Sequence, residues 1–186
     1  MKERFFERLQ ASLAAHPPKP VELHGLRLQD ASVLAPLFWR DDEPYVLATM
    51  RPETLKKHPG QISFPGGGRE PRDTTPLHTA LRETEEELGL PRRHVRVLGQ
   101  LSPMPTITSY LVQPFVGVVP DGLTLSPSAG ELAEVLEVPL WRLREEQREF
   151  FHAPRASYVW GDGRHAIWGA THRMLQELLE HVARAR

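Results

Sequence analysis

The chain of 186 residues contains no cysteine and carries almost no net charge. Without cysteine, disulfides, a thiol nucleophile and a cysteine-ligated zinc site are all excluded. A formal charge of −1 provides no whole-molecule attraction to nucleic acid or to acidic membranes. No apolar run approaches the ~18 residues that a membrane-spanning helix needs, and the N-terminal segment MKERFFERLQ is too charged for a secretory signal. We therefore expect a cytoplasmic protein that binds neither nucleic acid nor membranes.

Several familiar nucleotide-binding and hydrolase motifs are also missing. The glycines form neither the phosphate-binding pattern G-x-x-x-x-G-K-[ST] nor a G-x-G-x-x-G that opens a helix after a strand. No G-x-S-x-G elbow is present for a serine hydrolase. The histidines include no H-x-x-x-H pair, so a histidine zinc site on a helix has no support. Any phosphate chemistry must therefore use other residues.

What the sequence does contain is a strongly acidic helix near its middle. Thr75 is a suitable N-cap, Pro76 suits the first helical position, and Gly89 suits the position just past the end. At roughly 100° per residue, the residues between them separate into two stripes. One stripe is acidic and comprises Glu83, Glu86 and Glu87, whereas the other is apolar and comprises Leu77, Ala80, Leu81, Thr84 and Leu88. The helix can therefore bury one face and present three carboxylates on another.

The spacing of these carboxylates is unfavourable for an isolated helix. Like charges three or four residues apart repel each other by a few tenths of a kcal/mol per pair. Glu86 and Glu87 also lie near the helix C-terminus, where the helix dipole disfavours anions. A divalent cation such as Mg²⁺ or Mn²⁺ would offset this repulsion, because hard cations prefer carboxylate and water oxygens. A solvated acidic surface is the alternative, and the residues upstream favour the cation.

Three glycines, Gly66, Gly67 and Gly68, precede the helix. Glycine permits close backbone approaches that a Cβ would block, and backbone N–H groups in such a loop can face anionic oxygens. A glycine loop followed by a helix with R-E-x-x-E-E-x-G resembles the Nudix hydrolases, whose box reads G-x5-E-x7-R-E-U-x-E-E-x-G-U with U aliphatic. The residues that match in register are Gly68, Arg82, Glu83, Glu86, Glu87, Gly89 and Leu90.

The match to this box departs at two positions. Thr74 occupies the isolated Glu slot, and Thr84 occupies the first aliphatic slot. An alternative register, one residue longer, uses Gly67 and Asp73 instead. These departures leave open which residue takes the place of the isolated glutamate of the box.

The resemblance implies roles for the residues that match the box. Glu83, Glu86 and Glu87 are expected to bind Mg²⁺ or Mn²⁺, and Arg82 is expected to orient a carboxylate, a surface ion pair being its alternative. The general base in Nudix proteins is a glutamate of the box or of a later loop. The catalytic candidates are therefore Glu86, Arg82, Glu131 and Glu134, the last two having a solvent-facing position on a strand as their alternative.

A second motif lies before the box. Leu47 to Gly67 resembles the pattern of coenzyme A pyrophosphatases within the Nudix family, L-L-T-x-R-[SA]-x3-R-x3-G-x3-F-P-G-G. Ala48, Pro52 and Lys56 depart from it, and Lys56 keeps the charge of the second Arg without its forked donors. The resemblance implies that a coenzyme A-type substrate contacts Arg51, Lys56, Gly66, Gly67 and Gly68.

The remaining pattern predicts an α+β protein. Residues 1–20 form an amphipathic helix and a proline-rich linker, and residues 21–186 form one Nudix domain. Predicted strands are 31–39, 45–49, 62–64, 95–101, 106–119, 157–160 and 165–168, with helices at 141–149 and after Gly169. Pro36 suggests an edge position or a bulge for the first strand. The Nudix resemblance implies an α/β/α sandwich with a mixed sheet, and a homodimer in which the first helix covers a partner stays open.

Three functions follow from these observations. The first is metal-dependent hydrolysis of coenzyme A or an acyl derivative to adenosine 3′,5′-bisphosphate and 4′-phosphopantetheine or its acyl form. The second is hydrolysis of ADP-ribose or another nucleoside diphosphate derivative. The third, of a different class, is a non-catalytic nucleotide-binding module with the same fold.

Overall fold

The structure is a computed structural model that describes residues 1–22, 25, 27–54, 60–128, 132–150, 153–161 and 163–186. Three α-helices occur in these residues: α1 (Lys2–Ala15), α2 (Pro76–Leu88) and α3 (Gly169–Ala185). The strands are β1 (Gln29–Arg40), β2 (Glu43–Met50), β3 (Ile62–Ser63), β4 (Gly66–Gly68), β5 (Arg96–Gln100), β6 (Met104–Pro105), β7 (Tyr110–Val118), β8 (Glu134–Pro139), β9 (Arg144–Phe150), β10 (Ala153–Val159) and β11 (Ala166–Trp168).

The larger of two sheets in the described residues is mixed. Its order is β3-β2-β1-β7-β5, with β4 paired to β1, β6 to β7 and β8 to β2. β1 and β7 run parallel over nine residue pairs, whereas the other pairs are antiparallel. A parallel pair needs a long crossover, and the segment between these two strands contains α2.

Helices cover both faces of this sheet, as the predicted sandwich requires. Because side chains alternate along a strand, Leu34 of β1 faces α2, where it packs with Ala80. Ala35 and Leu37 belong to the core on the opposite face, which also contains Phe6 of α1. The α3 residues buried in that core are Met174, Leu175, Leu178, Val182 and Ala185, and Ala170 and Leu179 pack against it partly buried. The predicted apolar stripe of the last helix is therefore confirmed.

The ends of α2 lie where the sequence predicts them. The Thr75 hydroxyl accepts the His78 N–H at 3.1 Å, and Pro76 is the first helical residue. Gly89 takes the left-handed conformation (φ 64°) and donates its N–H to the Glu85 carbonyl at 2.9 Å. Of the predicted apolar stripe, three residues are buried and two are partly buried: Ala80, Thr84 and Leu88, then Leu77 and Leu81.

The prediction that Pro36 marks an edge strand or a bulge is wrong. β1 lies in the centre of the sheet, and its pairing with β7 runs through Pro36 without a register shift. On the other side of β1, the Leu34 N–H donates to the Pro65 carbonyl at 2.9 Å, and pairing with β2 begins at Leu37. The missing N–H of Pro36 therefore falls between two hydrogen-bonding partners, where it costs no ladder bond.

The prediction of a helix over residues 141–149 is also wrong. A short 3₁₀ turn over Leu140–Arg142 leads into strand β9, which is the edge of a second sheet of order β11-β10-β9. The run R-E-E-Q-R-E has good helix formers, but β10 pairs with all seven residues of β9. Glu145 lies on this strand, and its Oε1 is 3.0 Å from Nε2 of His172 in α3. Tertiary pairing therefore overrides local propensity in this segment.

Other predicted elements are confirmed with adjusted ends. β1 and β2 form a hairpin whose two turn residues, Asp41 and Asp42, both take positive φ. β10 pairs with β11 as a second hairpin. The strand predicted over 106–119 begins only at Tyr110, because the Thr106 hydroxyl and backbone close a turn onto Tyr110. No helix in the described ranges is long and apolar enough to cross a membrane.

Candidate active site

The three glycines form a strand rather than the predicted loop. β4 pairs antiparallel with the start of β1, so that Gly66 lies opposite Val33 and Gly68 opposite Ala31. The Gly66 N–H donates to Oε2 of Glu87 at 3.2 Å. This backbone donor therefore faces an anionic oxygen, as predicted, but the oxygen belongs to the protein's own acidic helix.

Two of the glycines make close contacts that a side chain would disturb. Gly66 has φ 155°, and a Cβ at this position would lie 2.3 Å from the Ser32 carbonyl oxygen. A Cβ on Gly67 would lie 2.6 Å from the carboxylate carbon of Glu83. Gly68, by contrast, has no atom within 4 Å of the Cβ position. The sequence at Gly66 and Gly67 therefore allows α2 to pack its acidic face directly against β4.

Arg82 is the centre of the site. Its side chain is only 4% exposed, and its forked donors bind Asp73, with Nε to Oδ1 at 3.0 Å and Nη2 to Oδ2 at 2.9 Å. Its Nη1 lies 2.8 Å from Glu86 and 2.9 Å from Glu83. The hydrogen bonds to Asp73 are the main reason that the pKa of Arg82 is raised above its usual value. The prediction that Arg82 orients a carboxylate fits this geometry, and burial excludes the surface ion pair.

Asp73 takes the acidic position in the alternative register of the box. It is buried, and besides Arg82 it accepts hydrogen bonds from the Glu70 N–H (2.9 Å) and the Thr79 hydroxyl (3.1 Å). The pKa of Asp73 is held below its usual range, and the hydrogen bonds from Arg82 are the largest cause. Thr74 is exposed and takes no part in these contacts. The side chain that meets Arg82 is therefore Asp73, the acidic residue of the longer register.

The three glutamates of the acidic stripe differ in environment. Glu83 is 18% exposed and lies between Arg82 and Gly67, and burial raises its pKa despite the neighbouring guanidinium. Glu86 is half-exposed, and its two oxygens accept from Arg82 at 2.8 Å and from Arg72 at 3.0 Å. The stripe thus contains one sheltered carboxylate and one that solvent reaches.

The donor set suits a hard divalent cation, but Glu83 and Glu86 are bound to arginines, and Glu87 accepts the Gly66 N–H. No group of three or more acidic or histidine side chains in the described residues surrounds a point where a metal could bind. Glu83, Glu86 and Glu87 nevertheless supply oxygen ligands from adjacent helical turns, which is the ligand type that Mg²⁺ and Mn²⁺ take. Burial raises the pKa of the partly buried Glu83 carboxylate, and a bound cation would favour its charged form.

The remaining predicted residues divide into two groups. Lys56 and Glu131 lie outside the described residues. Arg51 follows β2 and donates its N–H to the Gln61 carbonyl at 3.0 Å, while its side-chain Nε is buried without a hydrogen-bond partner among the described residues. Glu134 begins β8 opposite Met50, is exposed, and lies 3.9 Å from His165. Met50 precedes Arg51 and pairs with Ile62 of β3 on one side and with Glu134 of β8 on the other. Arg51 and Glu134 therefore lie near the end of β2, where β3 leads into the glycine strand.

Sequence reasoning overlooked two participants. Glu70 binds Arg72 at 2.8 Å and approaches Arg82 at 3.8 Å. Arg72 bridges Glu70 and Glu86. The sequence signal for both is weak, because R-E-P-R is a polar loop in which no spacing indicates pairing.

Comparison with known proteins agrees with this geometry. The NUDIX domain family model matches residues 28–158. Proteins named Nudix hydrolase NudL are similar: that of Photorhabdus laumondii is 38% identical over 184 residues, covering 96% of each chain. That of Yersinia enterocolitica is 38% identical over 159 residues, covering 82% of this chain and 80% of its own.

A solved structure supports the fold over nearly the whole chain. The MutT/nudix family protein from Enterococcus faecalis superposes with a TM-score of 0.52 at 17% identity, covering 97% of this chain and 71% of its own. The chain therefore belongs to the Nudix family, and it is a hydrolase that cleaves the pyrophosphate of nucleoside diphosphate derivatives.

Proposed function

We propose that the enzyme hydrolyses coenzyme A or an acyl derivative to adenosine 3′,5′-bisphosphate and 4′-phosphopantetheine or its acyl form. The observation that carries this proposal is the buried, unpartnered Nε of Arg51, counted over the described residues. A guanidinium N–H without a partner is costly unless a ligand binds it, and coenzyme A carries a 3′-phosphate in addition to its pyrophosphate. Arg51 also matches the arginine of the coenzyme A motif described above.

We further propose that Glu83, Glu86 and Glu87 bind Mg²⁺ or Mn²⁺ during the reaction. A bound divalent cation supplies charge stabilisation to the pyrophosphate and lowers the pKa of a nearby water. The chain's own contribution is orientation, since Asp73 fixes Arg82, and Arg82 in turn holds Glu83 and Glu86. The Gly66 N–H does the same for Glu87.

Two glutamates remain alternatives for the general base outside the box, namely Glu131 and Glu134. Glu134 has the support of its position beside Met50 and its approach to His165. A base of this kind would contribute about 10²–10⁴-fold to the rate. Loss of activity in Glu134→Gln with a changed pH–rate profile would support this role, whereas an unchanged profile would leave Glu86 or Glu131.

The second candidate substrate is ADP-ribose or another nucleoside diphosphate derivative without a 3′-phosphate. Turnover of coenzyme A, dephospho-coenzyme A and ADP-ribose with Mg²⁺ or Mn²⁺, with product identification, separates the candidates. We expect Arg51→Ala to lower kcat/KM for coenzyme A by about tenfold or more, the effect of one charge-assisted hydrogen bond, and to change the value for dephospho-coenzyme A much less.

The control for this experiment is Arg155→Ala, which removes an exposed arginine from β10. We expect this variant to retain the substrate ratio of the unmodified enzyme. Equal losses for coenzyme A and dephospho-coenzyme A in Arg51→Ala would remove the case for 3′-phosphate recognition. ADP-ribose as the better substrate would establish the second candidate.

A further inference from the structure

A cavity of about 580 Å³ lies at the end of the molecule away from the acidic helix. It is bounded by the first residues of α1, the last residues of α3 and the end of β1. Trp39 of β1 lines it, six residues beyond Val33, which pairs with Gly66. At about 3.3 Å per residue, the cavity is roughly 20 Å from the glycine strand.

The walls of this cavity are aromatic. The ring of Phe5 lies 5.1 Å from that of Trp39 and 6.2 Å from that of Trp141, and the two indole rings are 5.6 Å apart. The indole Nε1 of Trp141 is buried and has no hydrogen-bond partner among the described residues. Because solvent does not reach this nitrogen, it contributes no donor to the cavity, and the wall acts through its aromatic rings.

The rim of the cavity is cationic. Three arginines, Arg4, Arg8 and Arg186, line it, and no Asp or Glu is found among its described lining residues. The Arg186 guanidinium lies 4.7 Å above the Trp141 ring, and Arg8 is already engaged, because it donates at 3.3 Å to a main-chain oxygen of Arg186. Guanidinium groups favour carboxylate and phosphate groups, and they also stack on flat rings. Volume, aromatic walls and cationic rim together suit a small ligand.

We propose that this cavity is a second ligand site, which binds a planar aromatic ring carrying an anionic group, such as a nucleoside monophosphate or an aromatic carboxylate. The ring lies against the aromatic wall formed by Phe5, Trp39 and Trp141, and the anion meets Arg4 and Arg186. The site uses no residue of the acidic helix. The proposal therefore holds whichever pyrophosphate the enzyme cleaves.

Indole N–H signals in a ¹H–¹⁵N correlation spectrum test this site directly, because the chain contains only four tryptophans. The signal that is absent in Trp141→Phe identifies Trp141. The titration uses AMP in the presence of EDTA, so that metal-dependent binding at the acidic helix does not contribute. We expect AMP to shift the Trp141 signal with saturation.

Two variants and one control sharpen the test. Arg4→Ala should weaken AMP binding about tenfold, which is the loss of one charge-assisted hydrogen bond. Trp141→Leu keeps an apolar side chain but loses the ring, and calorimetry should show binding weakened by about fivefold, the effect of one aromatic contact. The control Arg93→Ala removes an exposed arginine that does not line the cavity and should leave the affinity unchanged.

Further probes distinguish the two sources of the ligand. Salicylate that binds as well as AMP would indicate small aromatic acids, whereas AMP alone would indicate nucleotides, and both results support the site. Adenosine and inorganic phosphate should each bind much more weakly than AMP, because each lacks one of the two features. Three results would overturn the proposal. Inorganic phosphate alone could shift the Trp141 signal as much as AMP does, millimolar AMP and salicylate could leave that signal unshifted, or Arg4→Ala could bind AMP with unchanged affinity.

Discussion

Two arginines, one at each end of the sheet, bind carboxylates in different ways. Arg82 is 4% exposed, and its fork binds both oxygens of Asp73. Arg40, at the end of β1, is 35% exposed, and its Nε and Nη2 bind a single oxygen of Asp121 at 3.0 and 2.7 Å. Each arginine also binds a roughly half-exposed glutamate, Glu86 in the first case and Glu137 in the second.

The comparison shows that similar contacts have different consequences in different surroundings. Water can replace the partners of Arg40, so its ion pairs contribute little to stability. Water cannot easily reach Asp73, so the loss of either partner there leaves an uncompensated buried charge. Burial makes the Arg82 network rigid, and a rigid network can hold Glu83 and Glu86 in place for chemistry. The Arg40 network joins two surface segments and carries no such requirement.

The largest difference that we expect between the two arginine networks is in catalytic activity. It is tested by replacing one glutamate of each network, chosen because the two have similar exposure. Glu86 is 50% exposed and Glu137 is 45% exposed. Glu86→Gln should lower kcat by about a thousandfold, because a neutral amide cannot replace a carboxylate that binds a cation. Glu137→Gln should retain nearly full activity. Steady-state kinetics measure both, and equal rates in the two variants would show that the acidic helix does not perform the chemistry.

The next difference concerns stability. Asp73→Asn should lower the free energy of unfolding by about 3 kcal/mol, because a buried ion pair loses one charge. Asp121→Asn should lower it by at most about 1 kcal/mol, since that pair is partly solvated. Urea unfolding monitored by circular dichroism provides both values. Equal losses would mean that burial does not distinguish the two networks.

A third test changes the backbone beside Glu83. Gly67→Ala places a methyl group 2.6 Å from the Glu83 carboxylate carbon, whereas Gly68→Ala meets no atom within 4 Å. Displacing the carboxylate by a fraction of an ångström should lower kcat/KM by roughly tenfold to a hundredfold in Gly67→Ala. Gly68→Ala, in the same strand, is the matched control and should stay within about twofold. Similar kinetics for both variants would contradict direct packing of Glu83 on β4.

The shape of the acidic helix was predictable from the sequence because its signals are local. The caps at Thr75 and Gly89, the three-four spacing of the glutamates and the glycines before them are all short-range signals. The pairing of Arg82 with Asp73 was not predicted, and the choice between Thr74 and Asp73 for the isolated Glu slot stayed open, because it depends on which side chain turns inward. Burial of Asp73 under α2 is a tertiary fact, and no spacing encodes it.

The segment before β10 was predicted wrongly for a related physical reason. Residues 144–150 have the composition of a solvated helix, yet β9 forms because β10 offers its hydrogen bonds. Pro36 was misinterpreted for the same reason. On one side of β1, Leu34 bonds to Pro65 and Leu37 pairs with β2, so that no N–H donor is needed at the position of Pro36 between them. Both contacts come from other segments of the chain. Local propensity predicts elements well only where distant strands do not compete for the same backbone.

The smallest expected difference concerns acid stability. The pKa of Asp73 is lowered in the folded protein, mainly by Arg82, so the stabilisation it gives is fully present above the unfolded pKa of about 3.9. As the pH falls below that value, the unfolded chain binds a proton that the folded chain does not. Stability then declines by up to about 1.4 kcal/mol per pH unit for this one group.

Asp73→Asn removes this group and should flatten the decline of stability between roughly pH 4 and pH 2. The pKa of Asp121 is also lowered, with its hydrogen bonds to Arg40 as the first cause, but solvent screens that pair. Asp121→Asn should therefore leave the acid profile close to that of the unmodified protein. Unfolding free energies measured across this range decide the matter, and an unchanged slope in Asp73→Asn would mean that Arg82 does not hold Asp73 ionised.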